Sequence, residues 1–388
     1  MTYAQLKEEL IAYSKSIGID KIGFASTDTF DTLKERLKQQ QSLNYQSGFE
    51  ESDIEKRTEP VLLLPKAQSI ISIALAYPSK MKGAPRSTRK EPRGLFCRAS
   101  WGKDYHHILR EKLALLEQFL QEKVPDAACK SMVDTGELSD RAVAERAGIG
   151  WSAKNTSIIT PEFGSYVYLG EMVTNIPFEP DTPIEEECGS CTKCIDACPT
   201  GAIVEGGQLN SQRCIAFLTQ TKGFLEDEFR VKLGNRIYGC DTCQTVCPKN
   251  KGKDFHLHQE MEPDPETVKP LLKPLLQISN REFKERFGSI AGSWRGKKPI
   301  QRNAIIALAH YKDQTAVPIL EKLLREDPRP VIRGTAAWAI GKIGSETALD
   351  ILIKAKMEEK DGKVAEEIQK GLNMLANQDS SDSNPITK

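Results

Sequence analysis

Eight of the ten cysteines in this 388-residue chain fall between Cys188 and Cys247: the runs "CGSCTKCIDACP" and "CDTCQTVCP", with Cys214 between them. Nothing else in the sequence constrains the fold so tightly, because so many thiols close together must share a common purpose. The chain opens on "MTYAQLKEELIAYSKSIG", an amphipathic helix pattern with acidic residues and no apolar stretch of signal-peptide length. No run approaches the roughly eighteen apolar residues a membrane helix needs. A cytoplasmic protein is expected, and in that reducing compartment clustered thiols hold metal rather than disulfides. Basic and acidic residues balance at 54 each, so no global field selects a polyanionic partner, while a local basic face stays compatible with that balance.

The first run is C-x2-C-x2-C-x3-C-P, the bacterial ferredoxin spacing, in which three thiolates wrap one cubane and the fourth reaches a second. By that logic Cys188, Cys191, Cys194 and the distant Cys247 hold one 4Fe-4S cluster. Cys198, Cys214, Cys240 and Cys243 hold the other, and no ligand is left over. Two all-cysteine zinc sites would use similar C-x2-C pairs. The Cys-Pro closing both runs and the "PTGAI" after the first favour iron and sulfur.

Around the cysteines the chain divides. Residues 1–178 mix helical patterns with strand-like runs, "VLLLPKAQSIISIALAY" and "NTSIITPEFGSYVYLGEMVTN", as an α/β or α+β domain does. The cysteine domain is expected over 179–255 and a polar connector over 256–293. Residues 294–377 are helical and repeat: "ALAHYKDQTAVPIL" aligns with "AIGKIGSETALDIL" at an offset of 32, and Arg302 with Arg333 at 31. This pattern resembles HEAT repeats, in an array short enough to need cover at its open end. The polar tail, 378–388, is expected to be disordered.

Electron relays need an acceptor, yet no G-x-G-x-x-G follows a strand and no P-loop is present. The segments "WGKDYHH" from Trp101 and "DTGELSDRAVAERAGIGW" from Asp134, taken with the cysteine framework and the helical end, resemble epoxyqueuosine reductase along nearly the whole chain. The resemblance implies an α+β architecture with a nitroreductase-like cobalamin-binding domain, a ferredoxin-like two-cluster insert and C-terminal α-helical HEAT-like repeats. It implies reduction of the epoxide of epoxyqueuosine at the tRNA wobble position, by cob(I)alamin fed from two 4Fe-4S clusters.

The resemblance also implies roles for single residues. Asp134 is the expected proton donor, its pKa raised by burial against the corrin; a turn aspartate there would otherwise cap a helix starting near Glu137. Tyr105, His106 and Arg141 are expected near the substrate or as ordinary helix residues. Arg57, Cys97, Ile158, Leu169, Thr221 and Asp241 are expected to contact cobalamin together with Asp134, while Cys129 reads as a buried structural thiol. The "DYHHIL" segment has Leu109 where a cobalt-ligating D-x-H-x-x-G motif has glycine, so base-off cobalamin without a histidine ligand is expected. Arg295, Lys297, Lys298, Arg302 and Arg333 are expected to form a basic edge for tRNA phosphates. An external low-potential electron donor and a monomeric state complete the expectations. Two rivals are a cobalamin-dependent reductive dehalogenase, which typically carries a twin-arginine export signal, and a non-catalytic iron–sulfur protein with a HEAT-like interaction module.

Overall fold

The run "SIISIALA" forms the strand Ser69–Ala76, buried along its whole length, and its lack of alternation follows from being covered on both faces. The preceding "VLLL" is not part of it. Pro65 interrupts the run, and Pro60–Leu62 makes a short 3₁₀ turn that leaves Val61 and Leu62 exposed. The strand belongs to a four-stranded sheet in the order Lys21–Ser26, Ser69–Ala76, Val167–Thr174, Cys129–Met132, antiparallel throughout. Ile71, Ile73 and Leu75 point to one face, against Leu6 and Leu10 of helix Tyr3–Ser16 and the Ile108, Leu109, Leu113, Leu116, Leu120 stripe of helix Tyr105–Lys123. Ile70 and Ala74 point to the other, against Val143 and Ala144 on helix Asp140–Arg146 and Ala147 just past its end. Each buried large aliphatic side chain contributes about 1.5–3 kcal/mol to the fold.

The structure, a computed structural model, describes residues 1–382. It separates into two compact units. The first comprises residues 1–80, 98–214 and 241–262 and contains the sheet. The second comprises 81–97, 215–240 and the chain from 263 onward. Here the helical periodicity expected from the sequence becomes helices Lys297–His310, Val317–Glu326, Pro330–Ile343, Ala348–Glu358 and Gly362–Asp382. Helix Pro330–Ile343 is buried over most of its surface. It packs backbone to backbone on the last helix, where a Cβ on Gly341 would lie 2.3 Å from the Gly371 Cα, so only glycine fits. Inside this unit Arg230, 1% exposed, donates to Glu367 Oε1 at 2.9 Å and lies 5.1 Å from the Trp338 ring centre. The last helix runs to Asp382, into the segment expected to be disordered from 378; residues 383–388 lie outside the described residues. Among the described residues no helix is long and apolar enough to cross a membrane.

Candidate functional site

Helix Tyr105–Lys123 begins where Asp104 caps it: Asp104 Oδ1 accepts from the His106 backbone amide at 3.0 Å. The same oxygen lies 2.6 Å from His106 Nδ1, and His106 Nε2 lies 3.2 Å from Asp134 Oδ2. The imidazole therefore bridges two carboxylates. Burial would lower its pKa, but the hydrogen bonds to Asp104 and then Asp134 outweigh burial and hold it at about 9. At neutral pH His106 is an imidazolium donating through both nitrogens. Tyr105 stacks on Tyr168 of the sheet at 4.3 Å and 5°, which fixes the first turn of the helix beneath the histidine.

Asp134 follows the edge strand Cys129–Met132 and takes φ +54°, in the left-handed region. Its backbone amide donates to Asp140 Oδ2 at 2.9 Å. The next helix starts at Asp140 rather than near Glu137, so Asp134 does not cap it. The protein does not bury the Asp134 carboxylate either: its side chain is 57% exposed. The proton held beside it resides on His106. Sequence reasoning missed Asp104, Asp140 and Glu171 here. For Glu171 a signal existed, a lone acid inside the apolar strand run "VYLGEMVT".

Arg57 is half-buried, and desolvation lowers its pKa. Arg141 keeps exposed surface, and desolvation first and then Arg57 lower its pKa. Leu169 is half-buried on the sheet, and Ile158 is 3% exposed and belongs to the core. The Asp241 carboxylate accepts from Arg98, from Nη1 at 3.0 Å and from the backbone amide. Cys129 is half-buried, its thiol pushed up to about 11 chiefly by burial.

Four of the expected cluster ligands come together in the first unit. Cys188, Cys191, Cys194 and Cys247 line one hollow with Ala153, Ile159, Lys154 and Lys249. The run supplying Cys247 is tied to the sheet through Ser165, whose carbonyl accepts from Gln244 Nε2 at 3.0 Å and whose Oγ accepts from Asn250 Nδ2 at 2.8 Å. Among the described residues no three His, Cys, Asp or Glu side chains converge as a single ion would require. Four thiols lining one hollow match the donor set that a 4Fe-4S cluster takes. Of the second quartet, Cys198 accepts from the Ala202 amide at 3.2 Å, and such backbone hydrogen bonds lower its pKa against the opposing effect of burial.

In the second unit Cys240 follows Gly239, whose φ of +71° and approach to Cys97 (a Cβ would lie 2.2 Å from its Sγ) demand glycine. The expected basic edge needs correction there. Arg302 is 1% exposed and donates to the carbonyl oxygens of Leu218, Thr221 and Gly223 at 2.7–2.8 Å, and to Thr221 Oγ1 at 3.0 Å. It braces a loop and presents no charge to a phosphate. Arg333 is held by both oxygens of Glu359, at 2.8 and 3.0 Å. Lys297 donates to the Ile278 carbonyl at 2.9 Å and Arg295 to that of Gln220 at 3.3 Å; both are half-buried, as is Lys298.

Comparison with known proteins agrees with this layout. Residues 187–250 match a family model described as a 4Fe-4S double cluster binding domain, and residues 295–373 match HEAT repeats. Residues 57–135 match the model described as epoxyqueuosine reductase QueG, DUF1730. The epoxyqueuosine reductase of Bacillus subtilis (strain 168) is 74% identical over 375 residues, 97% of each chain. A crystal structure of an epoxyqueuosine reductase with a tRNA-Tyr epoxyqueuosine-modified tRNA stem loop superposes with TM-score 0.95 at 73% identity, covering 97% of this chain and 100% of that one. A Bacillus subtilis structure with its Asp134 catalytic loop swung out of the active site superposes equally well, TM-score 0.95 at 73% identity over 96% of this chain and 100% of that one.

Proposed function

We infer the working parts of this protein from one premise: the chain belongs to the epoxyqueuosine reductase family. The reaction converts the epoxide of epoxyqueuosine in tRNA to the alkene of queuosine and water, consuming two electrons and two protons. When bound, the two 4Fe-4S clusters supply single electrons and cobalamin supplies a strongly reduced cobalt centre. Cys188, Cys191, Cys194 and Cys247 would hold one cluster, and Cys198, Cys214, Cys240 and Cys243 the other. His106 has both ring nitrogens occupied by carboxylates, which supports cobalamin without a histidine ligand, and in this reading it is bound base-off. Arg57, Arg141, Leu169 and Asp134 would line its recess.

In this reading the protein's own chemistry is proton delivery. The epoxide oxygen develops negative charge as its C–O bond breaks and needs an acid within hydrogen-bond reach. His106 stores that proton against Asp134 Oδ2, and Asp134 takes it up and passes it to the oxygen. The observation that carries this reading is the imidazolium bridging Asp104 and Asp134. Single-turnover reduction of an epoxyqueuosine stem loop tests it: Asp134→Asn should keep both clusters and bound cobalamin while turnover collapses.

Transfer RNA would be gripped by Arg295, Lys297 and Lys298 and fed from the cytoplasm, with electrons from an external low-potential donor. We read residues 1–178 as a nitroreductase-like cobalamin domain, 179–255 as the ferredoxin-type domain, 256–293 as connector and 294–377 as the repeat domain of a monomer.

A further inference from the structure

We propose that Asp140 and Glu171 act as one proton-sharing carboxyl pair that positions Asp134, so that the shared proton fixes Asp140 and Asp140 in turn holds the Asp134 backbone. The proposal rests on the reading of Asp134 as the acid.

Glu171 sits in the strand Val167–Thr174 with 0% exposure, opposite Ser72 on one neighbouring strand and Met132 on the other. Neither of its carboxyl oxygens has a hydrogen-bond donor, and the buried Ser72 Oγ is likewise unpartnered. Its interaction is with the Asp140 carboxyl, at the start of the helix packed on that sheet face. Glu171 is fully buried and Asp140 half-buried, and two neighbouring carboxyls there form a hydrogen bond only if they share a proton, because like charges side by side cannot both ionise. Burial first, then Asp140, pushes Glu171 well above the usual range, and burial and Asp134 push Asp140 to about 6. The other charged groups acting here are Glu137, held by Lys130 at 2.6 Å, and the guanidinium groups of Arg57 and Arg141, which favour an ionised Asp140. The proton therefore belongs mainly to Glu171, and Asp140 keeps an acceptor oxygen for the Asp134 amide at 2.9 Å.

That amide bond matters because Asp134 adopts φ +54°, a conformation costing a non-glycine residue on the order of 1 kcal/mol or more unless something holds it. An apolar side chain would fill the space of Glu171 without reaching Asp140. A protonated carboxyl, or an amide, both fills it and donates.

Three readouts on the cluster- and cobalamin-loaded full chain test the pair. Infrared difference spectra should contain the carbonyl stretch of a protonated carboxyl at neutral pH, absent in Glu171→Gln. Glu171→Gln, which donates without titrating, should sustain turnover near neutral pH and keep residues 133–139 protected from exchange to higher pH than in the native chain. Glu171→Leu should lower kcat roughly tenfold or more, with unchanged stem-loop KM, and accelerate amide exchange across 133–139. Exchange in that segment should stay native-like in Glu171→Gln. No protonated-carboxyl band, or a Glu171→Gln variant as impaired and as fast-exchanging as Glu171→Leu, overturns the proposal; should Glu171→Leu fail to fold, the other two readouts still decide. Exchange does not depend on which group is the acid. An active Asp134→Asn enzyme combined with the predicted exchange pattern would sink the donor reading and leave the anchor standing.

Discussion

One buried charge site in each unit is handled in the opposite way to the other. In the second, Arg230 is matched by Glu367 and Arg302 by a set of carbonyl oxygens. In the first, Glu171 lies at 0% exposure with neither oxygen supplied by a donor, close to Asp140 and the His106–Asp134 pair. Matched charges hold a structure in one arrangement. Unmatched carboxyls beside a histidine near pKa 9 hold protons, and holding protons is what the reaction needs.

The contrast can be broken by making one chemical change in both places. Glu367→Gln should destabilise the protein by up to about 3–5 kcal/mol, because it leaves buried Arg230 with only Asp227, 3.5 Å from its Nη1, as a counter-charge. A urea midpoint that hardly moves would show that this pair is not structural. His106→Gln keeps a donor for only one of the two carboxylates and has no titratable proton, and should cut turnover roughly 10²-fold at neutral pH. The native imidazole's pKa is raised on folding. Its contribution to stability is therefore complete below about 6.5 and lost as pH rises through about 9, and turnover should decline over the same window. A pH profile that His106→Gln leaves unaltered would exclude it as the proton store.

Glu171→Gln should have the opposite sign to Glu367→Gln. A carboxyl whose folded pKa is raised contributes fully below its ordinary range and costs stability as pH rises above it, so the variant should be the more stable protein at alkaline pH. Thermal midpoints of the two variants across pH give the comparison directly. The smallest effect concerns tRNA. Removing Lys297 and Lys298 should flatten the salt dependence of binding by roughly 0.7–0.9 in log–log slope per lost phosphate contact. An unchanged slope would move the grip elsewhere.

Much of this was legible in the sequence, for reasons that also mark the limit. Ligand spacing is a local property of the chain, and Cys188, Cys191 and Cys194 do share a hollow with Cys247 as the ferredoxin spacing requires. Helical periodicity is local too, and the repeat helices appear where "ALAHYKDQTAVPIL" and its copy lie. Side-chain direction is not local. Arg302 and Arg333 were legible as repeat-equivalent arginines, but sequence cannot tell a helix position facing solvent from one facing a loop, and both are committed within the protein. The role of Asp134 came from motif resemblance. Its partners Asp104, Asp140 and Glu171 depend on a cap, a left-handed residue and the register between strands, which set which face of the sheet Glu171 occupies.

The central claim is that the first unit delivers the proton through Asp134. Single-turnover reduction of an epoxyqueuosine stem loop by prereduced Asp134→Asn, with cluster and corrin spectra recorded on the same sample, tests it most directly. The account predicts intact spectra, unchanged stem-loop affinity and a rate lowered roughly 10²–10⁴-fold across the pH range. A rate within a few-fold of the native enzyme, with the same spectra, would contradict it.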